Sequence, residues 1–179
     1  MPRPCVFLDR DGTLTRDHGY THRVADYALL PGVVKGLGRL RDAGFLLVIV
    51  TNQSGIGRGL FEEKDYRAFQ AHLEADLAAR GISIAGSFHC PHGPDAGCAC
   101  RKPAPGLLHA ARKALDLDLP ASWMIGDGVR DAEAARRAGC RGALVVGGGE
   151  PDAPLPEGTR RAPDFARAVD CLLREARGA

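Results

Sequence analysis

The chain has 179 residues, 45% of them hydrophobic and 26% charged, with a formal net charge of +2. Those values fit a single soluble globular domain with a sizeable core, and they give no electrostatic case for nucleic acid or a membrane surface as partner. The longest apolar run, Phe45 to Val50, is too short to span a bilayer, and Met1-Pro-Arg-Pro4 leads straight into an apolar segment, so neither a membrane span nor a signal peptide is expected and the reducing cytoplasm is.

In chain order, Cys5 to Leu8 reads as a buried strand that ends in Asp9-Arg10-Asp11-Gly12-Thr13. A polar loop without period covers Thr15 to Asp26. Pro31-Gly32 opens a helix carrying Val33, Leu37 and Leu40 at helical spacing, and Ala43-Gly44 closes it. Phe45 to Val50 is a continuous β-branched run, as expected of a parallel strand covered on both faces, and it stops at Thr51-Asn52-Gln53-Ser54-Gly55. A helix follows from Glu62 to Arg80, with Tyr66, Phe69, Leu73 and Leu77 on one stripe, and then a strand from Ile82 to His89. Cys90 to Pro103 is a compact Cys/Gly/Pro loop. Pro105 opens a helix with Leu107, Leu108, Ala111 and Leu115 inward. Trp123 to Gly126 forms a strand ending in Asp127, Val129 to Ala138 a helix, and Gly142 to Val146 a strand. Gly147 to Pro163 reads as irregular, and a last amphipathic helix carries Phe165, Val169, Leu172 and Leu173. There are no internal repeats. Strands alternating with helices predict one α/β domain over residues 1–179, a Rossmann-like doubly wound parallel sheet.

Parallel strands bring their polar ends to one sheet edge, where open α/β folds bind ligands. Asp9, Asp11, Thr51, Lys102, Asp127 and Asp131 would meet there. That set suits phosphoryl transfer. Phosphate monoesters need neutralised charge and a positioned nucleophile. Asp9 can attack phosphorus, Asp11 can exchange the proton, and Thr51 and Lys102 can bind the remaining phosphoryl oxygens. A carboxylate facing a phosphate dianion needs a cation between them. Mg²⁺ suits such an all-oxygen site, held by Asp9, Asp127 and a backbone carbonyl.

Cys90, His92, Cys98 and Cys100 form a Cys₃His set within eleven residues, suited to closed, tetrahedral structural Zn²⁺. A redox pair at Cys98/Cys100 and chance clustering are the alternatives. The loop runs directly into Arg101-Lys102 and can fix both cations over the site. Cys5, Cys140 and Cys171 read as plain core or near-core thiols.

Phe7-Leu8-Asp9-Arg10-Asp11-Gly12-Thr13, Thr51-Asn52, Lys102-Pro103 and Gly126-Asp127-Gly-Val-Arg-Asp131, in that order, resemble the four motifs of the haloacid dehalogenase-like phosphatases. The resemblance implies Asp9 as nucleophile, Asp11 as general acid/base and as Mg²⁺ ligand through its carbonyl, Asp127 as a further Mg²⁺ ligand, and Asp131 as an acid beside Lys102. No insertion is long enough for a cap domain, so the site is expected to be open. Asp17-His18-Gly19-Tyr20, the stretch Thr51 to Gly59 and the Cys90 to Pro103 loop further resemble the heptose-bisphosphate phosphatase family. That resemblance implies substrate contacts from Asp17, His18, Gly19 and Tyr20, from Thr51, Asn52, Gln53 and Ser54, and from Arg101, which would recognise the distal phosphate of a sugar bisphosphate. Arg58 is a further candidate. Two departures stand out. Only five residues separate His92 from Cys98, as in the related histidinol-phosphate phosphatases, and Gly128 has no side chain to contribute. Histidinol-phosphate phosphatase is therefore the alternative activity, a non-catalytic zinc-stabilised binding module the alternative of another class, and a polynucleotide phosphatase is disfavoured by the charge. A monomer is expected.

Overall fold

Six parallel strands form one sheet in the order β3-β2-β1-β4-β5-β6. The computed structural model describes residues 1–147 and 153–178. The strands are β1 Cys5–Leu8, β2 Leu46–Asn52, β3 Gly86–Cys90, β4 Trp123–Gly126, β5 Gly142–Val146 and β6 Thr159–Ala162; the helices are α1 Val33–Asp42, α2 Ser54–Gly57, α3 Glu63–Ala79, α4 Gly106–Leu115, α5 Val129–Ala138 and α6 Phe165–Arg177.

The two-residue alternation of β1 divides the core. Val6 and Leu8 join Leu47 and Ile49 of β2 against Leu37 and Leu40 of α1, Leu73 and Leu77 of α3, and Val169 and Leu172 of α6. Cys5 and Phe7 face the other way with Val48 and Val50, against Leu107, Leu108 and Ala111 of α4 and the alanines of α5. The chain winds outward from β1 through β2 to β3, then returns beside β1 and winds the opposite way through β4, β5 and β6. The switch point lies between β1 and β4, and the Asp9 amide donates to Ile125 O across it at 3.0 Å. A crevice opens at such a point, beyond the carboxyl ends of the strands.

Three segments differ from expectation. The strand expected from Ile82 to His89 starts at Gly86 and runs on to Cys90. Gly81, at φ +77°, turns the chain out of α3, and Ile82 is spent packing into the core, its amide bonded to Leu77 O. Within the stretch read as irregular, Thr159–Ala162 adds β6 to the sheet beside β5. Its Thr-Arg-Arg-Ala sequence buries only Ala162, so it lacks the apolar run that marks a strand. Residues 148–152 of that stretch, including Gly148 and Gly149, lie outside the described residues. Ser54–Gly57 forms a short helix where Gly-rich sequence reads as loop. Among the described residues no domain is inserted after β1 or after α3, and no helix is long and apolar enough to cross a membrane.

Candidate active site and metal centre

The carboxyl ends of β1, β2 and β4 and the loop after β3 converge on Asp9. Lys102 is 2% exposed, and its Nζ donates to Asp9 Oδ1 at 2.8 Å and to Val50 O at 2.8 Å, and lies 2.6 Å from Asp131 Oδ1. Burial works against the Lys102 charge, but Asp131 and Asp9 outweigh it and raise its pKa, so the ammonium stays charged. Burial, together with Asp131 and Asp127, pushes Asp9 up to about 7 against the pull of Lys102. Asp127 is raised as well, first by burial and then by Asp131, with Arg130 opposing.

Carboxylate oxygens of Asp9, Asp127 and Asp131 come within 4.8 Å of one another. Hard oxygen donors crowded to the point of repulsion fit a small divalent cation such as Mg²⁺. Asp131 is already engaged, with Lys102 on one oxygen and the Gly128 amide on the other at 3.1 Å. Asp9 and Asp127, each with only one oxygen bonded among the described residues, to Lys102 and to Arg130, are the carboxylates that could hold such a cation. Gly12 permits this approach. It sits at φ +77°, and a Cβ there would stand 2.5 Å from Asp127 Oδ2.

Asp11 points at the adjoining cavity, its carboxylate held by a fork from Arg10 (Nε and Nη2, both 2.9 Å) and by Gln53 Nε2 at 2.9 Å. Gln53 also donates to Thr51 Oγ1 at 2.8 Å, so the Thr51 hydroxyl keeps its own proton to donate elsewhere. Asn52 clamps the motif lysine through two bonds, Nδ2 to Lys102 O and Lys102 N to Oδ1, both 3.0 Å. The cavity of about 270 Å³ is lined by Asp11, Asp17, Gly19, Tyr20, Asn52, Gln53, Ser54, Gly55, Arg101 and Arg130. Arg101 has a buried Nη1 without an acceptor among the described residues. Of the expected substrate contacts, His18 and Thr51 do not line this cavity, and one oxygen of Asp17, Oδ1, is taken within its own loop by the Gly19 amide and Thr21 Oγ1. Arg58 is stacked near the Tyr20 ring, 5.9 Å from its centroid. Sequence reasoning gave no role to Arg10 or Arg130; a cation directly beside an acid, Asp9 and Asp11 for Arg10 and Asp131 for Arg130, was the available signal. A larger cavity, about 520 Å³, lies between α1, β6 and α6, lined by Arg39, Arg161 and Arg167 among others, and holds none of these carboxylates.

Cys90, His92, Cys98 and Cys100 also converge, with all four donor atoms within 4.8 Å of one another. Their sulfur–sulfur separations of 3.2 to 3.6 Å approach the roughly 3.7 Å that tetrahedral zinc–thiolate geometry requires. Burial opposes ionisation of Cys98, but bonds from the Arg101 amide, Cys100 and Cys90 bring it down to about 6. The donor set thus fits Zn²⁺, with one thiol already poised to lose its proton. The loop closes onto α4 because Gly106 lies against Ala99 O, where a Cβ would clash.

Comparison with known proteins agrees with the geometry. A family model described as HAD-hydrolase-like matches residues 99–171. The D-glycero-beta-D-manno-heptose-1,7-bisphosphate 7-phosphatase of Photorhabdus laumondii is 43% identical over 155 residues, covering 83% of this chain and 82% of that protein. The enzyme of the same name from Bordetella bronchiseptica is 40% identical over 176 residues, covering 96% and 98%. The crystal structure of D,D-heptose 1,7-bisphosphate phosphatase from B. bronchiseptica, complexed with magnesium and phosphate, superposes with a TM-score of 0.87 at 38% identity, covering 96% of this chain and 99% of that one. With relatives this similar over this much of both chains, the protein belongs to the heptose-1,7-bisphosphate 7-phosphatase family of haloacid dehalogenase-like hydrolases.

Proposed function

We propose that the chain is a Mg²⁺-dependent phosphatase that removes the 7-phosphate of D,D-heptose 1,7-bisphosphate, with the β anomer named in its relatives as the preferred substrate. The observation that carries this reading is the pair Arg101-Lys102. Lys102 is buried on Asp9, where a reacting phosphate must sit, while Arg101 lines the adjoining cavity with a buried, unsatisfied donor. Two consecutive residues thus offer one cation to each of two phosphates, and a guanidinium binds phosphate through a bidentate fork.

Asp9 attacks phosphorus as the bond to the sugar oxygen breaks, giving an aspartyl-phosphate. Asp11 delivers a proton to the departing alkoxide, then takes one from the water that attacks phosphorus, releasing inorganic phosphate and restoring Asp9. Thr51 and Lys102 hold the phosphoryl oxygens. Asp9, Asp127 and the Asp11 carbonyl would hold Mg²⁺, which when bound would supply the charge that lets a carboxylate approach a phosphate dianion. Zn²⁺ on Cys90, His92, Cys98 and Cys100 has a structural role, fixing the segment that carries Arg101 and Lys102. In this reading the enzyme acts as a cytoplasmic monomer in nucleotide-activated heptose synthesis.

Steady-state kinetics on both bisphosphate anomers and on histidinol phosphate tests the reading. The highest kcat/KM is expected for the β-bisphosphate. A histidinol phosphate value above both heptose values overturns the substrate assignment.

A further inference from the structure

Gly128 has φ −131°, an extended conformation open to any residue, so its backbone does not call for glycine. Its surroundings leave little room. A Cβ at this position would lie 3.2 Å from Arg130 Nη1 and 3.3 Å from Arg130 Cζ. The Arg130 guanidinium is folded back over Gly128, so a Cβ there would push it by a few tenths of an ångström and a longer side chain would displace it. Arg130 belongs to the first turn of α5, where a cation opposes the helix dipole and an acid is preferred. It is nonetheless directed toward the sheet edge. Its Nη2 donates to Asp127 Oδ1 at 2.9 Å, and the residue lines the same cavity as Arg101. The two guanidiniums reach that cavity from different elements, the metal-binding loop and α5. Lys102 is committed to Asp9 and Asp131 on the floor of the site, so it does not serve this cavity.

We propose that Arg130, seated over Gly128, closes a two-guanidinium clamp with Arg101 on the non-reacting phosphate and sets the preference for a bisphosphate over a monophosphate. The inference rests on the functional reading above. A phosphate dianion carries two charges and several acceptor lone pairs, and two forks approaching from different sides match it better than one. A guanidinium carries five N–H donors, so Arg130 can hold Asp127 and a phosphate oxygen together. Its bond to Asp127 places the clamp at a fixed distance from the reacting centre. Gly128 is part of the device, because a side chain longer than alanine's there competes with Arg130 for the same volume.

The test compares heptose 1,7-bisphosphate with heptose 7-phosphate, which has the same reacting group and no second phosphate. In Arg130→Gln, kcat/KM for the bisphosphate should fall about 30- to 100-fold, mainly through KM, as expected for a lost charged hydrogen bond. The lost bond to Asp127 can lower the monophosphate value as well, so the readout is the bisphosphate-to-monophosphate ratio of kcat/KM, which should drop at least about 10-fold, and Arg130→Lys should recover part of that drop. Gly128→Leu keeps Arg130 but fills its seat, and should reproduce the selective loss. Equal losses on both substrates would mean that Arg130 acts only through Asp127, and would overturn the inference. So would a wild type that prefers the bisphosphate and an Arg130→Gln variant that keeps that preference. A wild type without the preference fails the functional reading, and the inference with it.

Discussion

Replacing Asp9, the proposed nucleophile, should make the metal-free protein more stable while removing turnover. Asp9 is 4% exposed, faces Asp127 and Asp131, and has only Lys102 to balance them. Its carboxyl is pushed from an ordinary 3.8 to about 7. The folded state therefore holds this proton more tightly than the unfolded chain does, and stability falls as pH rises from about 4 through about 7. That displacement corresponds to at most about 4 kcal/mol by pH 8, at 1.36 kcal/mol per pH unit. Asp9→Asn keeps the shape and removes the charge, but it also weakens the bond to Lys102. The net gain should be about 1–3 kcal/mol at pH 8 without added Mg²⁺, a rise in Tm of about 3–9 °C for a chain of this size. At pH 4.5 the two proteins should melt within about 2 °C of each other, because wild-type Asp9 is then protonated too. Adding Mg²⁺ should raise the wild-type Tm more than that of the variant, because the ion binds the folded carboxylates. Scanning calorimetry across this range reads all three effects. A variant less stable than wild type by the same margin at both pH values would refute the account of charge crowding.

Asn52→Ala removes both bonds that clamp the Lys102 main chain, so kcat should fall about 10- to 100-fold while KM changes little; a KM effect without a kcat effect in steady-state assays would instead make Asn52 a substrate contact. Zinc should co-purify at about one atom per chain by elemental analysis, and Cys100→Ser should lower zinc content, Tm and activity together; a folded, active wild type free of zinc would remove the structural role.

The parts of the fold that depend on burial were legible in the sequence. β1, β2, β4 and β5 are apolar runs because both faces are covered, and the acids that follow β1 and β4 stand out against them. β6 was hidden because an edge strand buries little, and its identity lies in pairing with β5 rather than in its own pattern. The Cys90, His92, Cys98 and Cys100 cluster was legible as residue types at short spacing, whereas the side-chain partners in the Thr51-Asn52-Gln53 run were not. Three consecutive polar residues look alike in sequence. In the fold, Asn52 turns to the Lys102 backbone, Gln53 turns back to bridge Thr51 and Asp11, and Thr51 is left with a hydroxyl proton to give. Those assignments depend on side-chain direction at the end of β2, which residue spacing does not fix.

Arg10 makes the same point from inside the core. Successive side chains leave an extended chain on opposite sides, so placing Asp9 and Asp11 toward one edge sends the residue between them elsewhere. Arg10 is fully buried, its guanidinium 4.5 Å from the centroid of Phe69 on α3. A buried cation is tolerated only when paired and stacked. Its partners are the Asp11 carboxylate, Gln53 Oε1 at 3.1 Å and the Thr21 carbonyl at 2.8 Å. One side chain therefore ties the proposed proton donor to α3, to the loop after β2, and to the loop carrying Tyr20. The orientation of Asp11 is set from the core side and not by solvent, and a shift in the Tyr20 loop reaches the acid through a single guanidinium.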